Sequence, residues 1–309
     1  MGGLRAHPTE ATVTLTQDQR LNFLNDILQQ SLGTDSTIVS STSISGGCIN
    51  RVSKLNLKCG RSVLVKLAGE ANVGFRQEAQ GLSAIAETQT IATPKVIAVG
   101  ESPEPYLILK WIETAPIQSG FWRRFGEDLA ALHKAETPSP QFGFASDNVI
   151  GATPQVNQWA SSWSEFFCDR RLRHQFDLAA AAGFFTESEA NQIEEFLAKV
   201  SEKLEQVAAA PALIHGDLWN GNFLCDENQR PVLIDPAVSY SHSEAEFSIM
   251  RMFGGFDHQC FEAYHEILPA QPAVSERIKI YSLYHYLNHL NLFGRSYLND
   301  CWRIINKFV

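Results

Sequence analysis

The chain has 309 residues, enough to bury a sizeable core in one large domain or two lobes. With 44% hydrophobic and 19% charged residues it has the composition of an ordinary globular protein, and a net charge of −9 argues against a broad nucleic-acid footprint, which needs clustered Lys and Arg. No apolar run approaches the roughly 20 residues of a membrane helix, and MGGLRAHPTEATVTLTQ lacks an apolar signal core, so no membrane partner and a cytoplasmic location are expected.

Residues 1–15 read as a flexible polar leader. Thr16 is placed to cap a helix through Leu32, with Leu21, Leu24, Ile27 and Leu28 as its apolar stripe. Three β-like runs follow, ending at Ile44, spanning Asn50–Cys59 and spanning Arg61–Ala68; Gly46-Gly47 and Gly60 separate them as in a meander. Glu70–Glu87 predicts a helix, and PKVIAVG and YLILKWIE predict two more strands. From Phe121 the pattern turns helical, with a Pro/Gly/Asn-rich loop over 138–157, periodic segments over 159–182 and 186–210, strands in ALIHGD and RPVLID, and a helical tail from Glu244. The fold class is α+β and two-lobed, with a β-rich lobe over 16–112 and a larger α-rich lobe over 113–309.

Six cysteines are scattered without C-x-x-C pairs, which disfavours zinc or a disulfide framework and leaves reduced thiols. Cys48 stands apart, beside Gly46-Gly47 in an expected exposed turn.

Phosphoryl transfer from ATP needs positioning and charge neutralisation more than covalent chemistry, and the parts it requires occur here in order. Ser45-Gly46-Gly47-Cys48 lies between two strands, where glycine lets backbone approach phosphate, although a Gly-Gly hairpin turn is common. Lys66, inside VLVKLA, is an ammonium among apolar neighbours and calls for an anionic partner; Glu78 on the next helix is the candidate. The segment IHGDLWNGNFLCDENQRPVLIDP is more specific. Asp217 and Asn222 stand five residues apart, as in a kinase catalytic loop, and Asp235 ends an apolar run thirteen residues beyond Asn222. Asp217 is suited to accept or orient a hydroxyl proton, and Asn222 and Asp235 offer the hard oxygens that Mg²⁺ prefers. A turn rich in Asp and Asn explains one such residue, not the ordered set. Trp219 offers a flat apolar face two residues past Asp217, while His285, Asn288 and His289 share helical spacing and read as core or groove polar groups bordering an acceptor site.

Asp235 is followed by Pro236, which differs from the D-F-G of protein kinases and points to kinases of small hydroxylated compounds. HGDLWNGN, IDPAVSYSH, IMRMFGGF and LYHYLNHLNLFG, with GCIN and FRQEAQGLSAI upstream, resemble the fructosamine kinase (ketosamine-3-kinase) family, an aminoglycoside phosphotransferase-like group with a protein-kinase-like fold. The resemblance implies ATP- and Mg²⁺-dependent phosphorylation of the C3 hydroxyl of ketosamines, free or protein-bound, leading to deglycation. It implies Asp217 as base, Asn222 and Asp235 as metal ligands, Lys66 and Glu78 as phosphate clamp, and Leu109, Lys110, Trp111 and Ile112 as the adenine-binding linker. Trp219, with His285 and Asn288, is implied on the ketosamine side. A monomer or homodimer is expected, with Cys48 as candidate for a redox-sensitive link between two chains. Where the family usually has Arg and then Asp, this chain has Ser243 and Glu246, which leaves the bracing of the catalytic loop open. Two alternatives stay open: a kinase of an aminoglycoside- or choline-type acceptor, and a non-catalytic pseudokinase module.

Overall fold

The computed structural model describes residues 15–44, 51–68 and 74–309. Contacts group the chain into two compact units, one ending at Arg76 and completed by Val96–Trp111, the other formed by Gln77–Lys95 and Ile112–Val309. In the smaller unit, helix α1 (Gln17–Leu32) opens at Thr16 through a capping box: the Thr16 hydroxyl accepts from the Gln19 N–H and the Gln19 side chain accepts from the Thr16 N–H. Strands β1 (Ile38–Ser43), β2 (Arg51–Leu57), β3 (Ser62–Leu67), β4 (Val96–Gly100) and β5 (Tyr106–Lys110) form an antiparallel sheet in the order β1-β2-β3-β5-β4.

Period-two alternation decides the faces of β3. Val63, Val65 and Leu67 are buried with Leu24 and Leu28 of α1 and Ile108 of β5, which puts Leu64 and Lys66 on the opposite face. Lys66 pairs across the sheet with Val52 and Leu107 and is only 9% exposed, so a charged amine is held in a mostly apolar sheet. Glu104, also buried, ion-pairs with Arg20 of α1 and with Arg51 of β2.

Helix α2 (Phe75–Glu87) belongs from Gln77 onward to the larger unit. There it is joined by α3 (Phe121–Lys134), a short hairpin β6 (Asn148–Ile150) and β7 (Thr153–Gln155), and a helical run made of α4 (Trp163–Glu165), a π-helical stretch Phe166–Arg173 and α5 (His174–Ala181). Next come α6 (Glu187–Glu205) and strands β8 (Pro211–Ile214), β9 (Phe223–Cys225), β10 (Pro231–Leu233) and β11 (Ser239–His242). The chain ends with α7 (Glu246–Phe253), α8 (His258–Ile267), α9 (Val274–Phe293) and α10 (Leu298–Phe308). β9 pairs with β10 and β8 with β11, both antiparallel. Two apolar cores flank these strand pairs. One joins Phe125 and Leu129 of α3 to Leu213, Leu218 and Phe247; the other joins Phe166, Phe196, Tyr281 and Leu287. The stretch expected as a loop over 138–157 therefore contains paired backbone, and the expected helix over 159–182 is widened in its middle.

Candidate active site

The loop His215–Asn222 leaves β8 and enters β9, and Asp235 lies just past β10, so two antiparallel strand pairs present all three sequence-predicted polar residues in the larger unit. Backbone bonds fix the two segments to each other: the Ala237 N–H donates to the His215 carbonyl (2.9 Å) and the Ile234 N–H to the Asn222 carbonyl (3.0 Å). His215 locks the corner. Its Nε2–H donates to the Ile234 carbonyl (2.8 Å), and its Nδ1 accepts from the Asp217 N–H (3.2 Å), which requires the neutral Nε2–H tautomer. Burial holds its pKa below the ordinary value, in keeping with that tautomer. Gly216 follows with φ of +81°, and a Cβ there would meet the Ala237 carbonyl oxygen at 2.2 Å, so the turn requires glycine.

Asn222 Nδ2 donates to the Asp217 carbonyl (2.8 Å) and to Asp217 Oδ2 (3.1 Å), which joins the two residues the motif paired. Burial, and then the charge of Asp235, push the Asp217 carboxyl well above the usual carboxylate range, while the Asn222 bond opposes the shift. Asp235 itself has φ of +54°, a left-handed conformation uncommon for a residue other than glycine and of the kind found at functional sites.

The fit to Mg²⁺ rests on this chemistry. Two carboxylates crowd each other, and the Asn222 amide turns its nitrogen to Asp217 and its oxygen away. Among the described residues no group of three or more His, Cys, Asp or Glu forms a closed metal cage. An amide and a carboxylate, completed by substrate phosphates and water, are the donor set Mg²⁺ ordinarily uses.

Glu246, the first residue of α7, braces the loop from behind. Its carboxylate accepts from the His215 N–H (2.6 Å) and the Gly216 N–H (3.0 Å) and is 1% exposed. His133 Nε2 lies 3.7 Å from the same carboxylate, and His133 Nδ1 is bonded to the Tyr264 hydroxyl (2.8 Å). The longer carboxylate thus reaches both amides. Its departure from the expected Asp was visible in the sequence, but nothing in the spacing pointed to His133 or Tyr264.

Trp219 is 38% exposed; its indole lies over Gly221, where a Cβ would meet the ring at 2.3 Å, and its centroid is 6.0 Å from that of Phe253. His285 and Asn288 are buried in α9. Burial pushes His285 down to about 3, its Nδ1 has no hydrogen-bond partner among the described residues, and it lines a cavity of about 30 Å³ with Gly216, Arg171, Gln155 and Tyr284. A space of that size suits one water. The β6–β7 hairpin supports the segment after Asp235: Asn148 donates to the Val238 carbonyl and Gln155 to the Ala237 carbonyl, while the Tyr284 hydroxyl donates to Gln155 (2.6 Å). No sequence signal marked these two amides.

Lys66 stands on β3 of the smaller unit and Glu78 on the part of α2 that belongs to the larger one. Leu109 and Lys110 end β5; the Trp111 N–H donates to the Ser62 carbonyl (3.3 Å), and Ile112 begins the larger unit. Gly46, Gly47 and Cys48 lie outside the described residues.

The fructosamine kinase family model matches residues 21–309. The chain belongs to the fructosamine kinase family. A probable ketoamine kinase of Synechocystis sp. is 40% identical over 283 residues, covering 91% of this chain and 94% of that protein. The chloroplastic protein-ribulosamine 3-kinase of Arabidopsis thaliana is 38% identical, covering 90% and 85%. Among solved structures, a putative fructosamine-3-kinase from Haemophilus somnus superposes with a TM-score of 0.83 at 25% identity, covering 93% of this chain and 96% of that one. The aminoglycoside phosphotransferase APH(4)-Ia, at TM-score 0.67 and 14% identity, shares the kinase-like fold. The loop His215–Asn222, Asp235 and the α7 brace all fall within the family match.

Proposed function

We propose that this protein is an ATP-dependent ketosamine 3-kinase, with Asp217 as the residue that receives the acceptor proton. The observation that carries the reading is the Asp217–Asn222–Asp235 arrangement at the ends of two antiparallel strand pairs, inside a chain of the fructosamine kinase family. The names of its relatives supply the substrate class: ketoamine for the cyanobacterial protein and ribulosamine for the plant one.

In the proposed reaction the C3 hydroxyl oxygen of the ketosamine attacks the γ-phosphorus of ATP. The bond to the β,γ-bridging oxygen breaks, ADP leaves, and the hydroxyl proton passes to an Asp217 carboxylate oxygen. A carboxyl raised by burial and by Asp235 is a better proton acceptor than a solvated one. Asn222 holds that carboxylate in place, and Glu246 and His215 hold the backbone that carries it. Asn222 and Asp235 are the proposed Mg²⁺ ligands, and the ion would neutralise the phosphate oxygens. Lys66 and Glu78 are proposed for the phosphates, and Leu109, Lys110, Trp111 and Ile112 for the adenine. Loss of the sugar from the 3-phosphate, with release of the amine, belongs to the same proposal. So does a cytoplasmic setting, supported by five free cysteines among the described residues, four of them buried.

The test is Mg²⁺-dependent ATP consumption with ribulosamine, fructosamine, kanamycin and choline adducts or alcohols side by side, with the phosphate position read by NMR. Turnover of a ketosamine with phosphate at C3 is expected. Turnover of kanamycin or choline alone, or of nothing, overturns the reading.

A further inference from the structure

Arg171 carries a charge that the fold leaves without a bonded counter-charge. It lies in the π-helical stretch Phe166–Arg173, is 4% exposed, and holds its guanidinium 4.3 Å from the centroid of the Phe166 ring. One terminal nitrogen donates to the Val156 carbonyl and the other to Asn157 Oδ1 (2.6 Å), both neutral acceptors. Asp147 acts on it only from a distance: that carboxylate is exposed and accepts from the Asn157 N–H (2.7 Å). The neighbouring arginines differ, since Arg170 lies 3.9 Å from Glu165 and Arg173 makes two bonds to Glu194. Burial pushes Arg171 down to about 10, which reflects the cost of a buried cation whose partners are neutral.

The cavity of about 30 Å³ that Arg171 lines with Gly216, His285, Ser239 and Ser241 has no Asp or Glu in its wall. Its uncommitted groups are donors. The bonds to Val156 and Asn157 use the terminal nitrogens of Arg171 and leave its Nε–H. Ser239 and Ser241 bond each other (2.8 Å), and the pair keeps one hydroxyl proton to give. His285 Nδ1 is buried without a partner among the described residues, and a neutral imidazole protonated there donates. The carboxylates of the catalytic loop and its brace are engaged elsewhere, Glu246 on two backbone amides and Asp217 with Asn222. A water molecule accepts from two of these three donors and must place its own protons; a monatomic anion accepts from all three and supplies the missing charge.

We propose that this cavity is a halide site, in which one chloride ion is held by Arg171, His285 and the Ser239–Ser241 pair. Chloride is little larger than water, so the space admits it and excludes phosphate or a carboxylate. Its holders stand on the π-helical stretch, α9 and β11, and the wall includes Gly216, so the ion ties three elements together behind the catalytic loop. On the functional reading above, chloride then raises turnover by steadying the loop that carries Asp217. The site itself stands apart from that reading.

The experiment follows urea unfolding of the full-length protein at constant ionic strength while potassium chloride replaces potassium gluconate, whose anion is too large for the cavity. The wild-type midpoint should rise and then level off, and chloride at one hundred times its Kd should raise the folding equilibrium about a hundredfold. Bromide should act as chloride does, and crystals grown in bromide should show an anomalous peak beside Arg171 and His285. Arg171→Met should lose the dependence and His285→Phe should weaken it, whereas Arg173→Met, on the exposed neighbour paired with Glu194, should keep it. If Arg171→Met does not fold, the wild-type titration and the bromide peak decide. A midpoint that does not respond or never levels off, a cavity without a bromide peak, or a dependence that survives in Arg171→Met overturns the site. Turnover of a ketosamine with ATP and Mg²⁺ should rise several-fold along the same chloride curve. A stability gain with flat turnover overturns the activating role and leaves the site, and a halide peak in a protein that phosphorylates no ketosamine overturns the functional reading alone.

Discussion

Asp217 is held in a place that does not suit its charge. Burial and Asp235 both raise its pKa, and only the Asn222 bond opposes them. A group placed against its own ionisation serves something other than stability, and that gives Asp217→Asn two opposite signs. Turnover should fall by roughly two to four powers of ten, because the proton acceptor is gone. Metal-free thermal stability should hold or rise, because the substitution removes a desolvated, repelled carboxylate. Steady-state kinetics and melting in EDTA check both; a lower melting temperature with turnover largely retained would make Asp217 a structural residue. Trp219 is a different case. At 38% exposure, Trp219→Ala should cost little stability and should raise the KM for the ketosamine more than that for ATP. Equal rises in both would remove the indole from the acceptor side.

The catalytic loop is held by neighbouring elements more than by its own residues. Glu246 at the head of α7 satisfies two backbone donors, the buried His215 N–H and the half-buried Gly216 N–H. Glu246→Ala leaves the His215 and Gly216 N–H groups unpaired and should cost about 2–5 kcal/mol. Glu246→Gln keeps one acceptor oxygen and should fall between Ala and wild type, in chemical denaturation and in kcat alike. An Ala variant as stable and active as wild type would mean that the loop is set without α7. The same contrast explains what the sequence disclosed. Asp217, Asn222 and Asp235 could be read because a loop and the strand after it are continuous in the chain, and β3 could be read because Val63, Val65 and Leu67 alternate. Glu246 could be seen only as a departure from a pattern, since its partners lie 30 and 31 residues away. His133 and Gln155 act through space from α3 and β7 and left no local signature. The three-residue strand Thr153–Gln155, with a proline in the middle, is too short to show alternation, so its hairpin read as loop.

At the scale of the whole chain, the larger unit stores neutral imidazoles in its interior, and this sets how the protein responds to acid. His215, His242, His285 and His289 all have pKa values lowered by burial, His242 to about 4 and His285 to about 3. The groups facing His242 are Tyr281, whose hydroxyl is 3.0 Å from its Nδ1, Glu244 at 4.0 Å, and, beyond them, Arg277 and His133. Burial outweighs the one carboxylate among them. In the unfolded chain these rings take up protons near the ordinary 6.5, whereas the folded rings stay neutral. The unfolded state therefore binds more protons below that pH. Stability is fully present above about 6.5 and is lost as pH falls toward the folded values. For His242 alone, going from pH 7 to pH 5 should remove about 2 kcal/mol. Carboxylates whose pKa values are lowered by partners, such as Glu194 and Asp226, keep their stabilising effect across that interval and lose it only at lower pH, whereas Asp217, raised by burial and by Asp235, takes up a proton in the folded state first and opposes the loss. Urea titrations of Asp217→Asn, which lacks that opposing carboxyl, at pH 7 and pH 5 should show the loss, and the same protein with His242→Gln, which can still bond Tyr281, should show a smaller one. In the Asp217→Asn background, a denaturation midpoint that stays level or rises between pH 7 and pH 5, or a His242→Gln change that leaves the full slope, would mean that the buried imidazoles take up protons without unfolding.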